Sequence, residues 1–258
     1  MSLIVGKILA RVGTGWMFFI HAVVMVLLFL LLLTLEEAPC KNKRGHKENK
    51  SLSLGKTVGL LGRNRRYMLF MVAYVCVNVG FRFILTFYPL LIELKGGDEG
   101  SLGVGIFLCS LSEIPFIFLF SKLSQKVTTD KIMLFSFVMF AVKNLFIYLT
   151  PNVLLLQLAQ LLQGPSLGLY LPAVVLYMRE ITPRQISSTA LMLSTAVTNA
   201  VSSVVGNFLG GILIDGLEIY PSIFMCITLQ ALGALIFFIS LFLKDKPRAE
   251  YTTPGAAQ

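Results

Sequence analysis

Histidine is nearly missing from this chain. Two occur in 258 residues, His21 and His46, and neither belongs to a His-Glu metal motif, so zinc-hydrolase chemistry has no foothold. No glycine-rich loop runs into Lys-Ser or Lys-Thr, which excludes a nucleotide-phosphate cradle and with it an ATP-driven pump. The four cysteines, Cys40, Cys76, Cys109 and Cys226, lack metal-ligand spacing, so neither a disulfide nor a zinc site is expected. Cys40 reads as a free thiol or a palmitoylation site. No enzyme, metal or cofactor emerges. Charge is scarce as well, at 14% of residues.

Apolar residues fill the space that charge leaves. They make up 56% of the chain and collect in runs without the polar stripe of a soluble helix. A helix rises about 1.5 Å per residue and the hydrocarbon core is about 30 Å thick, so roughly 20 residues span it. Seven runs qualify: 16–35, 67–94, 102–120, 132–149, 154–178, 189–214 and 220–243. The fold class is therefore an all-α integral membrane protein with seven transmembrane helices. The first run is too long for a signal-peptide core, and Glu36-Glu37-Ala38-Pro39 makes a poor cleavage site.

Basic residues set the topology. Nine Lys or Arg lie in 36–66, and Lys122, Lys126, Lys131, Arg179, Arg184, Lys244, Lys246 and Arg248 follow on the same side. Only Lys7, Arg11 and Lys95 fall on the other. The positive-inside rule then places the 36–66 loop and the C-terminus in the cytoplasm and the N-terminus outside a cell membrane. The net charge of +9 is a topology signal against an anionic leaflet; without interleaved aromatics it does not indicate nucleic acid. Four regions result: 1–35 with one helix, the basic cytoplasmic loop 36–66, a six-helix group 67–243, and the cytoplasmic tail 244–258. Six helices divide into two sets of three of opposite orientation, a recurrent transporter plan with its site near the midplane.

Charges inside apolar runs are costly and mark function by default. Glu113 lies about 8 residues, roughly 12 Å, from the cytoplasmic end of its run, and Lys143 about 11 residues, roughly 16 Å, from the end of its own. At these depths neighbouring helices bring the two within pairing distance, as a substrate or proton site or as a structural ion pair. Arg82 either snorkels outward or faces a cavity, with Asn78 one turn away on the same face. Gln160, Gln163 and Tyr170 or Tyr177 form a polar side on the fifth run, either ligand-binding or interhelical glue, and the Gly164-Pro165 break frees carbonyls for a cavity or a neighbour to satisfy. On the sixth run Ser194, Thr198, Ser202, Gly206 and Gly210 recur every four residues as a packing face, while Asn199, off that stripe, reaches toward the cavity.

The segments GIFLCSLSEIPFIFLFSKLSQK, LLQLAQLLQGPSLGLYLPAVVLYMREITP and GNFLGGILIDGLEIYPSIF resemble the C-terminal half of a major facilitator superfamily transporter. The nearest likeness is to the branch of lactose permease and the phenylpropionate permeases. Glu113-Ile114-Pro115 matches that branch's glutamate and proline, Lys143 stands where it has arginine, and Gln163-Gly164 where it has His-Gly. The resemblance implies a partial major-facilitator fold, a six-helix C-terminal bundle of two inverted repeats preceded by the sixth of twelve helices. It implies secondary, proton-coupled symport of a small organic solute by alternating access, in a chain lacking the first five helices. Its partners are then a small-molecule substrate, the proton, the lipid bilayer and a separate N-terminal half. The two replaced side chains set this chain apart from coupling through a histidine. The alternatives are a seven-helix receptor and a non-transporting partner subunit.

Overall fold

The computed structural model describes residues 15–34, 54–183 and 185–242, and the chain separates into two compact units, Met1–Ser51 and Leu52–Gln258. In the first, α1 (Gly15–Thr34) is a 20-residue helix, about 30 Å long, apolar on nearly every side. His21 lies on α1, whereas Cys40 and most of the basic loop fall outside the described residues.

The second unit opens with α2 (Leu54–Gly62), which reading 36–66 as a loop does not anticipate. Thr57 and Leu61, one turn apart, are its buried face, and they sit on two helices of the bundle. Six helices long and apolar enough to cross a membrane follow: α3 (Arg65–Leu94), α4 (Glu99–Leu123), α5 (Thr129–Leu149), α6 (Val153–Ile181), α7 (Ser187–Leu217) and α8 (Ile219–Ser240). Each overlaps an expected run. Three of the six starts are marked by side-chain caps: Asn64 accepts from Tyr67 N at 3.2 Å, Asp98 from Ser101 N at 2.8 Å, and Asn152 from Leu155 N at 3.0 Å. Each cap satisfies one backbone donor that the first turn leaves open.

The packing has an internal exchange symmetry. Swapping α3 with α6, α4 with α7 and α5 with α8 turns the α3–α8 contact into α6–α5 and α3–α7 into α6–α4, and leaves α5–α8 unchanged. All five contacts are made. Because consecutive spans alternate in direction, the two triplets run oppositely, as inverted repeats do. Aromatic rings fill the centre where α3, α5, α6 and α8 meet: Phe70 packs tilted against Tyr177 at 4.8 Å between ring centres, and Phe137 meets Phe237 edge-on at 5.2 Å. The small-residue face of α7 packs as expected. Ser194, Thr198, Ser202, Gly206 and Gly210 are all buried, and a β-carbon at Gly206 would stand 2.9 Å from the Val79 carbonyl of α3.

Candidate functional site

The middle of α6 departs from regular geometry at the Gly-Pro step. Gln160–Leu162 is a 3₁₀ turn and Gly164–Gly168 a π segment, and the helix continues to Ile181 without a break. Within the distorted stretch the Ser166 hydroxyl donates back to Leu162 O at 2.9 Å and lies 3.1 Å from Gln163 O. What the distortion does supply is proximity. A β-carbon at Gly164 would collide with the Ser112 carbonyl, so glycine there seats α4 directly on α6.

A cavity of about 120 Å³ results between α3, α4, α5 and α6. Its polar lining is Tyr88, Cys109, Lys143, Gln160 and Gln163, and Phe81, Ile84, Leu85 and Ile106 are among its apolar walls. Lys143 is 4% exposed, and its ammonium donates to Gln163 Oε1. The Tyr88 hydroxyl is buried without a hydrogen-bond partner and lies over Gly105, where a β-carbon would strike it.

The expected pairing of Glu113 with Lys143 does not form. Among the described residues the one ion pair within 4.0 Å is Arg66–Asp130. Counted from the helix ends nearest the basic loops, Glu113 lies about 15 Å along α4 and Lys143 about 21 Å along α5, a turn apart. Each takes a nearer partner: Lys143 takes Gln163, and the half-buried Glu113 accepts from the Cys109 thiol one turn away at 3.6 Å. Cys109 is a cavity wall, so Glu113 stands just behind it.

The remaining expected residues meet in pairs. Asn78 donates to the Tyr170 hydroxyl at 2.7 Å and to Tyr74 O at 2.8 Å, joining the first helix of one triplet to the first of the other. Arg82 does not snorkel: its Nη2 donates to Asn199 Oδ1 on α7 at 3.0 Å, while Nε is buried and unpartnered. One turn further along α3, Thr86 donates to Asn207 at 2.8 Å, within the π segment Val204–Leu209 of α7. Asn199, Thr86 and Asn207 are exposed, so a polar ladder runs along an otherwise apolar surface.

Sequence reasoning missed two clusters. Gln230 of α8 is wholly buried, accepts from Asn144 at 2.8 Å and donates to Val77 O at 3.1 Å, knitting three helices together. Its signal was a lone amide in the apolar run ITLQALGALI. At the other end of the core Arg66 grips Asp130 through two oxygens, at 2.8 and 3.0 Å, and donates to the Tyr177 hydroxyl at 3.3 Å. The topology count takes Arg66 as a loop charge and leaves Asp130 aside. Among the described residues no three His, Cys, Asp or Glu side chains group as metal ligands do.

The sequence matches the model of the MFS_1-like family over residues 1–226. The chain belongs to that family, within the major facilitator superfamily. Two curated relatives agree. The uncharacterized transporter YwbF of Bacillus subtilis (strain 168) is 23% identical over 209 residues, covering 81% of this chain and 51% of the relative. The maltose permease of Geobacillus stearothermophilus is 22% identical over 165 residues, covering 64% and 42%. A solved bacterial homolog of the human lysosomal transporter Spinster, inward-facing and unoccupied, shares the fold, with a TM-score of 0.58 at 14% identity over 93% of this chain and 64% of its own. This MFS_1-like chain thus spans about half the length of the curated relatives it matches.

Proposed function

We propose that this MFS_1-like protein forms one wall of a secondary transporter that moves a small organic solute by alternating access, coupled to proton entry. One observation carries the reading. Arg82 stands about 26 Å along a helix about 45 Å long, beside exposed Asn199, Thr86 and Asn207, on helices apolar enough to cross a membrane. Hydrocarbon does not solvate such a ladder, so it faces a watery cavity or a second polar wall. A second helical bundle, supplying the five helices that the resemblance to a complete major facilitator transporter leaves out, is the natural opposite wall. Its partnership with this chain is part of the proposal.

Glu113 is the proton carrier in this reading. It is half-buried, has no cation within 4.0 Å, and touches the wall of the Lys143 cavity through Cys109. A carboxyl so placed exchanges between charged and neutral forms as its surroundings change, which a coupled carrier requires. The basic loops set the orientation, with residues 36–66 and the C-terminus in the cytoplasm of a cell-membrane protein. Relatives that bear transport names lend the receptor alternative no support.

Vesicles from cells expressing the chain together with the partner half, compared with vesicles from cells lacking the chain, test this reading. Labelled sugars, organic acids and nucleosides are offered with and without an inward proton gradient. Gradient-dependent accumulation of at least one solute is expected. Equal uptake by both vesicle types across the panel contradicts the assignment.

A further inference from the structure

The cavity between α3, α4, α5 and α6 is built from donors. Lysine can only donate, so Gln163 must turn its oxygen to Lys143, and this leaves the two amide hydrogens of Gln163 to donate elsewhere. The ammonium keeps two hydrogens beyond the one given to Gln163. Tyr88, 5% exposed, adds a hydroxyl that stands beside Gln160 and gives its own proton to no acceptor. Three groups on this small surface thus offer donors, and one of them carries a positive charge with no carboxylate within 4.0 Å. Glu113 does not line the cavity, because its carboxylate is turned to the Cys109 thiol.

A buried surplus of donors around a cation calls for an acceptor that carries negative charge. At about 120 Å³ the cavity has room for a carboxylate on a short carbon chain. Ile84, Leu85 and Ile106 provide the apolar surface that such a chain prefers.

We propose that this cavity binds the carboxylate of a short aliphatic acid, with Lys143 and Tyr88 as its two donors. The assignment names a substrate class for the transport site and rests on that reading for its purpose, though not for the binding itself. The carboxylate oxygens accept from the ammonium and the phenol, and the alkyl chain lies against the aliphatic wall. Arg82 and the α7 ladder take no part.

Equilibrium binding of labelled propionate to the purified full chain in lipid nanodiscs at pH 7, with no gradient present, is the test. The proposal expects saturable binding that unlabelled propionate displaces and that propionamide, of the same shape without the charge, does not. Tyr88→Phe, which keeps the ring, weakens binding about tenfold, and Lys143→Gln abolishes it. Thr228→Val, on an exposed turn of α8, leaves it unchanged, and monodisperse elution of every variant shows that each has folded. Absence of saturable binding, displacement by equal concentrations of propionamide or chloride, or wild-type binding by the folded Tyr88→Phe variant overturns the proposal. Proton-driven uptake of some other solute alongside absent propionate binding overturns only this inference and leaves the transport reading standing. Binding without any uptake supports the inference and removes the transport reading.

Discussion

Gly105 and the Tyr88 hydroxyl share one contact, and that contact shapes the cavity floor. Gly105→Ala pushes the phenol aside at a cost of about 1–3 kcal/mol, and adding Tyr88→Phe to it recovers most of the loss. Unfolding in mixed detergent micelles reads both; no loss in the single variant contradicts the packing. Lys143 and Gln163 form a second residue-scale pair. Gln163→Leu leaves a buried ammonium unsatisfied and costs about 2 kcal/mol, whereas Lys143→Met combined with Gln163→Leu costs less than the two single changes added together. Strict additivity in that cycle would show the hydrogen bond to be incidental. The sequence made Glu113 and Lys143 conspicuous as charges in apolar runs. Their partners were not legible, because depth along a helix says nothing about rotation around its axis. Asn78 with Tyr170, and Arg82 with Asn199, were each legible as polar residues, and only the packing of α3 on α6 and α7 joined them.

Helix ends and helix breaks follow from local chemistry that the sequence displays unevenly. Apolar length located all six helices of the second unit, since hydrocarbon thickness leaves little freedom. The short helix α2 escaped because its glycines and Lys56 look like loop, and only burial of Thr57 and Leu61 on the bundle stabilises it. The α6 break was visible at Gly164-Pro165, but its 3₁₀ and π geometry was not. At the start of α4, Asp98 accepts from both the backbone N–H and the hydroxyl of Ser101, which holds its carboxyl below its ordinary value of 3.8. A depressed value means that the cap is intact above the ordinary pKa and is lost as pH falls through the lowered one. The first-turn amides of α4 should therefore lose protection from hydrogen exchange below pH 3.8, relative to an Asp98→Asn variant whose cap does not titrate. Parallel behaviour of the two proteins would contradict the cap.

At the scale of the molecule, the exchange symmetry of two oppositely directed triplets places α3 and α6 as counterparts, and the polar residues concentrate on them. Asn78, Arg82 and Tyr88 come from one, Gln160, Gln163 and Tyr170 from the other. The family match over residues 1–226 takes in α1 to α7 and the start of α8. The repeat was legible in the count of helices and not in residue identity, because packing constrains size and polarity more than it constrains particular side chains. The missing ion pair also alters the picture of coupling: Glu113 and Lys143 hold separate hydrogen-bond partners, the Cys109 thiol and Gln163.

That independence makes a single comparison decisive. In vesicles containing the chain, Glu113→Gln should preserve exchange of labelled for unlabelled solute down no gradient, while accumulation driven by an imposed proton gradient falls to the equilibrium level. Uphill accumulation at the wild-type level by Glu113→Gln would contradict the account.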